Sequence, residues 1–436
     1  MVLKKNCSDT FNKLTGKKLL MMSGMRTMCD YVVRAKQMGA YVIVADIDNN
    51  SPAKAIADES VYLDVTDSQK IVEFCEMKGV NGITTGFADI LLEPYFEACQ
   101  MLNFPCYLNP QIINASTDKA YFKKICSKYD IPVAKDYYFN DEDFHREKDN
   151  LEYPVFVKPL DASGSRGAAV CKDSVEFEKQ YNEALSFSKS KKVIIEEYLT
   201  GTEFLMDYYV VEGQAYLMSM FDRFMSDDRN SAINHSDLCI APSKFLPRFK
   251  EDIHHKIVEM IKGLGMKNGV LFFQGFSTEE KITLYEMGCR LGGTFQAVDE
   301  ACKGINPMDM LVNFSLTGKM INKKDTDLIR GDFKKIGGVL NIMANSIGKP
   351  IAKIEGIEDV LCMNNVVHHI QRMFIGDSFM AGSKTDSPVV SFYFYAKDIN
   401  EYKEIVKKIY SKIKVTDRNG TSLLMKPCST DNINIV

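Results

Sequence analysis

The chain has 436 residues, of which 45% are apolar, 26% charged and 11% aromatic, with 27 Gly and 13 Pro. This is ordinary globular usage, which excludes disordered, collagen-like and fibrous chains, and at roughly 150 residues per domain it points to about three domains. Lys+Arg sum to 54 against 58 Asp+Glu, a net charge of −4 with no block of like charge, so the electrostatic footprint of a general nucleic-acid binder is absent and only a local basic pocket is left open.

The 12 cysteines run from Cys7 to Cys428 without a Cys-x-x-Cys pair, which reads as reduced thiols in a cytoplasmic protein rather than a disulfide scaffold. Two adjacent pairs, His254-His255 and His368-His369, would point roughly 100° apart on a helix and read as structural. No apolar run approaches the roughly 18 to 20 residues of a membrane span, and Lys4 and Lys5 lead into polar residues rather than a signal segment. A cytoplasmic location, with no membrane and no nucleic acid as partner, is the expectation.

In chain order, short apolar runs alternate with amphipathic stretches: strand 18–22, helix 27–38, strand 41–45, helix 68–78, strand 82–85, helix 90–102 and strand 105–108. Short connections imply a parallel sheet, so residues 1–108 read as a doubly wound α/β domain. Asp46 closes the second strand where a dinucleotide fold carries its ribose-binding acid. The first turn, Ser23-Gly24-Met25-Arg26-Thr27-Met28, has one glycine where G-x-G-x-x-G needs three. Asp46 and Gly24 therefore read as the end of a strand and the start of a helix.

Residues 109–318 carry strands at 155–158, 168–171, 193–197, 204–211 and 215–220, bracketed by helices at 119–129, 174–186 and 251–264, an α+β domain of two lobes. The polar stretch 139–150 reads as a local loop. Residues 319–436, with strands 337–343 and 389–396 and helix 399–413, read as a small C-terminal α+β domain.

Four features of the middle region carry chemistry. Ser116-Thr117-Asp118-Lys119 is a helix N-cap with a lysine in the first turn, where the dipole disfavours a cation unless an anion is near. Tyr153-Pro154-Val155-Phe156-Val157-Lys158-Pro159 delivers a lysine at the end of an apolar strand. It is followed by Asp161-Ala162-Ser163-Gly164-Ser165-Arg166-Gly167, small residues whose N–H groups suit phosphate oxygens. No Gly-Lys-Ser/Thr follows, so it is not a Walker A loop. Ile194-Ile195-Glu196-Glu197-Tyr198-Leu199 runs into Thr200-Gly201-Thr202-Glu203, a strand end that can pair with an adenine edge and an acid that can accept ribose hydroxyls. Finally Gln274, in Phe272-Phe273-Gln274-Gly275-Phe276, and Glu286, in a run ending Arg290-Leu291-Gly292-Gly293, present oxygens from neighbouring strands suited to Mg²⁺. Arg290 can clamp a carboxylate or phosphoryl group. Taken singly, each also fits a plain hairpin, a surface lysine or a solvated acid.

Their order, a helix lysine, Val-Lys-Pro before a glycine loop, Glu-Glu-Tyr-Leu with Gly-x-Glu, then Glu-x-x-x-Arg with Gly-Gly, resembles the ATP-grasp superfamily. The N-terminal domain, with Ala57-Asp58-Glu59, looks like the one preceding the grasp fold in the biotin-carboxylase-like branch. The resemblance implies a nucleotide between two lobes. Lys119 and Lys158 would contact its phosphates, and Ser163, Gly164, Ser165 and Gly167 would close over them. Glu196, Glu197, Tyr198 and Leu199 would bind adenine, and Glu203 the ribose. Glu286 would be the principal ligand of Mg²⁺, or Mn²⁺ in its place, with Gln274 a weaker second, while Arg290 would stabilise the transferred phosphoryl. Two departures stand out: the family usually has an acid at Gln274 and an asparagine at Gly288, which should weaken a second metal site. Asp299 and Glu300 are nearby in sequence, as supplementary ligands or a solvated helix start.

The function implied is an ATP-dependent carboxylate-amine ligase acting on a small-molecule acid and amine through an acyl phosphate. The alternatives are activation of bicarbonate or formate, and a nucleotide-binding module without turnover, motivated by Gln274 and Gly288. Lys426 lacks the context of a biotin carrier and reads as surface charge. Arg223, on a strand at 218–224, is a candidate to hold the substrate carboxylate, and His235, in the polar segment 226–237, to contact the amine. Relatives are often homodimers through the N-terminal domain, which carries that expectation here.

Overall fold

The computed structural model describes residues 13–137, 148–160, 167–225, 236–322, 325–379, 387–431 and 433. The N-terminal sheet contains four parallel strands, β1 (Lys18–Met21), β2 (Tyr41–Asp46), β3 (Glu59–Tyr62) and β4 (Gly82–Thr84), in the order β3-β2-β1-β4. Leu19, Leu20 and Met21 of β1 and Val42 to Ala45 of β2 have no solvent exposure, as strands covered on both faces require. The helix Ser68–Lys78 starts at Asp67, whose carboxylate accepts the Gln69 and Lys70 N–H groups, and ends at Gly79 with φ 63°. Both ends thus satisfy backbone groups that the helix itself leaves open.

Residues 105–108, expected as the fourth strand, pair with no strand. Pro105 lacks an N–H to donate, and the Tyr107 ring packs instead against Tyr95 and Phe314. The helix Pro307–Thr317 lies against β4 so closely that a Cβ on Gly82 would come within 2.0 Å of the Ser315 carbonyl oxygen. β3 escaped the sequence reading because none of its four residues is buried, so it has no apolar alternation to detect. Gly24 donates its N–H to Asp46 Oδ2 at 2.7 Å, which makes this pair a fastening of the β1 turn.

A second sheet contains β5 (Asp136–Tyr137), β6 (Val155–Pro159), β7 (Ala169–Cys171) and β8 (Val193–Glu197) in the antiparallel order β5-β8-β6-β7. It packs on the helix Ser174–Phe187 around its own small core of Leu151, Val155, Val157, Cys171, Phe177, Ala184 and Ile195.

The third sheet is the scaffold. It is built from β9 (Thr202–Val211), β10 (Gln214–Phe224), β11 (Leu238–Ala241), β12 (Gly269–Ser277), β13 (Ile282–Gly288), β14 (Ile336–Ile342), β16 (Val366–Gln371) and β17 (Val390–Ala396), in the order β13-β12-β9-β10-β11-β14-β17-β16. A separate two-stranded ribbon pairs β15 (Lys353–Glu355) with β18 (Lys414–Thr416). The eight-stranded sheet runs across residue 318 without a break, because β11 pairs with β14 over Leu238 to Ala241. The expected single helix at 251–264 is two helices, Leu246–Asp252 and His254–Gly263, which meet at Ile253.

The N-terminal domain is clamped to this scaffold by Arg34. Its guanidinium reaches both oxygens of Asp309 at 2.6 Å and both of Glu300 at 2.9 and 3.0 Å. Glu300 is therefore committed to Arg34, with its side chain 37% exposed. Arg34→Met leaves the Asp309 carboxylate, 4% exposed, without its guanidinium, and we expect a loss of about 3 kcal/mol in urea unfolding. An unchanged unfolding midpoint would show that the clamp contributes no net stability.

Candidate active site

Three sets of side chains meet where the small sheet faces the large one. The first is a buried charge cluster. β6 and β8 pair with Phe156 opposite Glu196, which places Lys158 and Glu196 on a diagonal, and the Lys158 ammonium donates to Glu196 Oε2. Glu196 Oε1 accepts from Lys123 Nζ at 2.6 Å, and that ammonium also reaches Asp136 and the Ala134 carbonyl. Lys123 and Lys119 belong to one helix, Lys119–Lys128, four positions apart, so they share a face. Burial holds the Lys158 ammonium below its ordinary value against the pull of Glu196, and Lys119 and Lys123 add to the depression. Burial pushes the Glu196 carboxyl up, but Lys158 and Lys123 outweigh it and the net shift is downward. The arrangement holds surplus positive charge in a dry place, a suitable seat for phosphate oxygens.

The expected adenine edge is partly spent. The Glu197 N–H donates to the Lys135 carbonyl and the Tyr198 N–H to the Pro154 carbonyl, whereas the Leu199 N–H has no partner among the described residues. Glu196 turns its carboxylate into the lysine cluster rather than towards a base. Ser163, Gly164 and Ser165 lie outside the described residues, as does His235. Gly167 is described, with φ 74° and the Phe187 ring 2.8 Å from where its Cβ would stand, a position open to glycine alone.

The second set lies along one face of β10, β9, β12 and β13. The register puts Glu203 opposite Arg223, and Gln274 opposite Glu286. Glu203 Oε1 accepts from Arg223 Nη1 at 2.8 Å and from the Tyr285 hydroxyl at 2.6 Å. The Gln274 amide, oriented by its hydrogen-bond network, donates Nε2–H to Glu286 Oε2 at 3.1 Å and accepts from Arg223 Nη1 through its oxygen at 2.9 Å. Burial lifts the Glu286 carboxyl above its usual range; Lys119, Arg290 and Lys158 offset part of this and Asp89 adds to it. Lys119 and Lys158 of the first set therefore act on this carboxylate. Gly288 faces Phe272 across the strands, and a Cβ there would fall 2.0 Å from the ring. That ring fills the space an asparagine side chain would need.

The third set closes the cleft. Arg290 lies over the Phe272 ring at 4.8 Å and is held by both oxygens of Asp89 at 2.7 Å, with its remaining arm on the Leu291 carbonyl. To reach a phosphoryl group it has to exchange Asp89 for it. Beneath the Gly292-Gly293 loop, Asp207 and Asp299 are buried; burial and their mutual repulsion lift the Asp207 carboxyl, and Arg290 and Ser219 offset part of this. Asp299 is thus a buried acid beside Lys303 and Ser219, not a solvated helix start.

Sequence reasoning missed Lys123, Asp136, Tyr285 and Asp89. Lys123 was within reach through its four-residue spacing from Lys119, and Tyr285 through its adjacency to Glu286. Asp89 and Asp136 carry no local signal, since only tertiary contact pairs them.

The Glu196 cluster sets an acid limit. Because its folded pKa lies below the ordinary 4.5, its contribution is complete above pH 4.5 and lost as pH falls through the folded value. Glu196→Gln should lower stability by about 3 kcal/mol at pH 7 and flatten the acid limb of a urea-midpoint profile. An acid limb as steep as that of the unaltered protein would place the titration elsewhere.

Residues 151–298 match the family described as the ATP-grasp domain. The formate-dependent phosphoribosylglycinamide formyltransferase of Prochlorococcus marinus is 27% identical over 195 residues, 43% of this chain and 49% of that protein. The chain spans about half the length of the first curated relatives it matches. The L-amino acid ligase of Bacillus licheniformis superposes with a TM-score of 0.74 at 17% identity, over 93% of this chain and 100% of that one. The biotin carboxylase domain dimer of the 2-oxoglutarate carboxylase of Hydrogenobacter thermophilus, solved with MgADP, ADP and bicarbonate, gives 0.73 at 17%, over 92% and 91%. The chain therefore carries an ATP-grasp domain at residues 151–298, within a fold shared along most of its length with biotin carboxylase and L-amino acid ligase.

Proposed function

We propose that the protein is an ATP-dependent carboxylate-amine ligase, with residues 1–108, 109–318 and 319–436 as its N-terminal, grasp and C-terminal parts. The observation that carries the reading is the convergence of Lys119, Lys123 and Lys158 on one side of the cleft with Glu286 and Arg290 on the other. The donor set fits a magnesium nucleotide. Among the described residues no three His, Cys, Asp or Glu side chains converge as a metal site, so a cation at Glu286 would draw its remaining ligands from phosphate and water. The bound cation supplies charge neutralisation at the phosphates.

Lys119 and Lys158 would hold phosphate oxygens, Leu199 would offer its N–H to adenine, and Glu203 would accept from the ribose. Arg290, on leaving Asp89, would neutralise the transferred phosphoryl. The substrate carboxylate oxygen bonds to the γ-phosphorus as the bridging P–O bond to ADP breaks. The amine then bonds to the acyl carbon, phosphate leaves with the C–O bond pair, and the ammonium proton passes to solvent. Positioning and charge account for most of such a step. Assembly as a homodimer belongs to the same reading and has its support in the dimer of the carboxylase domain.

A second reading, activation of formate or bicarbonate, is favoured by the match to the formate-dependent enzyme. A nucleotide-binding module without turnover is motivated by Gln274 and Gly288.

Phosphate release from ATP and Mg²⁺ across amino acids, uronic acids, formate, bicarbonate and simple amines, with product masses measured, separates these readings. We expect release that depends on an acid-amine pair and a product one water lighter than the two combined. Release with formate or bicarbonate alone would favour the second reading; thermal stabilisation by ATP with no release from any mixture would favour the binding module. Lys158→Ala and Glu286→Ala should each abolish release while leaving the circular dichroism spectrum intact. Retained turnover in either variant would sink the assignment.

A further inference from the structure

Glu203, Arg223, Gln274 and Glu286 form a chain of alternating partners across four strands, and its centre is a guanidinium. Arg223 Nη1 donates both to Glu203 Oε1 at 2.8 Å and to the Gln274 amide oxygen at 2.9 Å. In the orientation that its hydrogen-bond network selects, the amide turns its oxygen to Arg223 and presents N–H to Glu286 at 3.1 Å. A metal ion between residues 274 and 286 would need that oxygen on the Glu286 side. Turning the amide over would break both hydrogen bonds and aim its NH₂ at the guanidinium, a donor facing a donor.

The other position from which a second cation would draw a ligand is closed as well. The Phe272 ring stands where a side chain at Gly288 would project, and the Arg290 guanidinium covers that ring. The carboxylate of Glu286 is thus the one acid of this strand pair turned to the cleft, and the nearest fixed positive charge to Gln274 is Arg223, with a side chain 16% exposed.

We infer that the guanidinium of Arg223 takes the place of one divalent cation, so that the cleft binds its nucleotide with a single metal ion, at Glu286. The inference rests on the nucleotide reading above and refines it. Arg223 acts as a positioning residue: it fixes the Gln274 amide and supplies charge that needs no uptake from solution. Its ion pair in the structure is with Glu203. The charge arithmetic is simple. Gln274→Glu adds one negative charge and Arg223→Met removes one positive charge, so together they open a deficit equal to one divalent ion.

The test is a titration of Mn²⁺ into the full-length protein saturated with a non-hydrolysable ATP analogue, with free Mn²⁺ read from its electron paramagnetic resonance signal. We expect one tightly bound Mn²⁺ per chain for the unaltered protein and two for the Gln274→Glu/Arg223→Met double variant. Arg223→Lys, which keeps the charge, should retain one. Two Mn²⁺ in the unaltered protein would overturn the inference while leaving the nucleotide reading in place, and this arm needs no variant to fold. One Mn²⁺ in a folded double variant would remove Arg223 from the argument. Failure of the analogue to bind the unaltered protein at all would overturn the nucleotide reading, and the inference with it.

Discussion

The contact on which the candidate site depends is the pairing of Glu196 with Lys123 and Lys158. An ammonium withdrawn from water is tolerable only where opposite charge meets it, and here a single carboxylate serves two ammonium groups from different elements. That requirement ties the helix Lys119–Lys128 to the small sheet and sets the lysines at the mouth of the cleft. Because Asp136 also receives Lys123, β5 is drawn into the same cluster, and the segment after β8 that carries Leu199 is located by it.

The same physical rule governs the other boundaries. Arg290 and Asp89 close the cleft between the grasp region and the N-terminal domain, and Arg34 fastens that domain from behind through Glu300 and Asp309. The two contacts differ in exposure. Asp309 is enclosed at 6% side-chain exposure, whereas Asp89 is half open to solvent at 52%. A half-exposed pair is weak in water and readily exchanged, which suits the change of partner proposed for Arg290. An enclosed, bidentate pair is not so easily exchanged, which suits a clamp that has to hold.

The ligand departures noted in the sequence acquire causes in the structure. Gly288 is glycine because Phe272 occupies its side-chain space, and Phe272 in turn supports Arg290. Gln274 is neutral beside Arg223 and Glu286, where one amide satisfies a donor and an acceptor at once. Both substitutions are parts of a packed arrangement, so neither by itself argues for lost chemistry. Sequence-level reasoning saw them as missing ligands because ligand identity is visible in a chain and the neighbour that compensates is not.

Much of the architecture was legible in the chain. Buried strands such as β1, β2 and β9 announce themselves by apolar runs, and helices such as Ser68–Lys78 by their caps. Lys119, Lys158, Glu286 and Arg290 were legible as motifs because each sits at or near the end of a strand or helix whose pattern is local. β3 was not, since an edge strand without buried residues has no periodicity, and the segment at 105–108 misled because an apolar run satisfies packing and pairing alike. What the sequence determined by itself was the class of elements, their order and the residue types offered to a nucleotide. What only the tertiary structure decided was which charge meets which: Asp89 for Arg290, Glu203 and Gln274 for Arg223, Glu196 for two lysines at once. Such pairings join positions up to 201 residues apart, and Coulomb energy depends on distance in space, which no local pattern encodes.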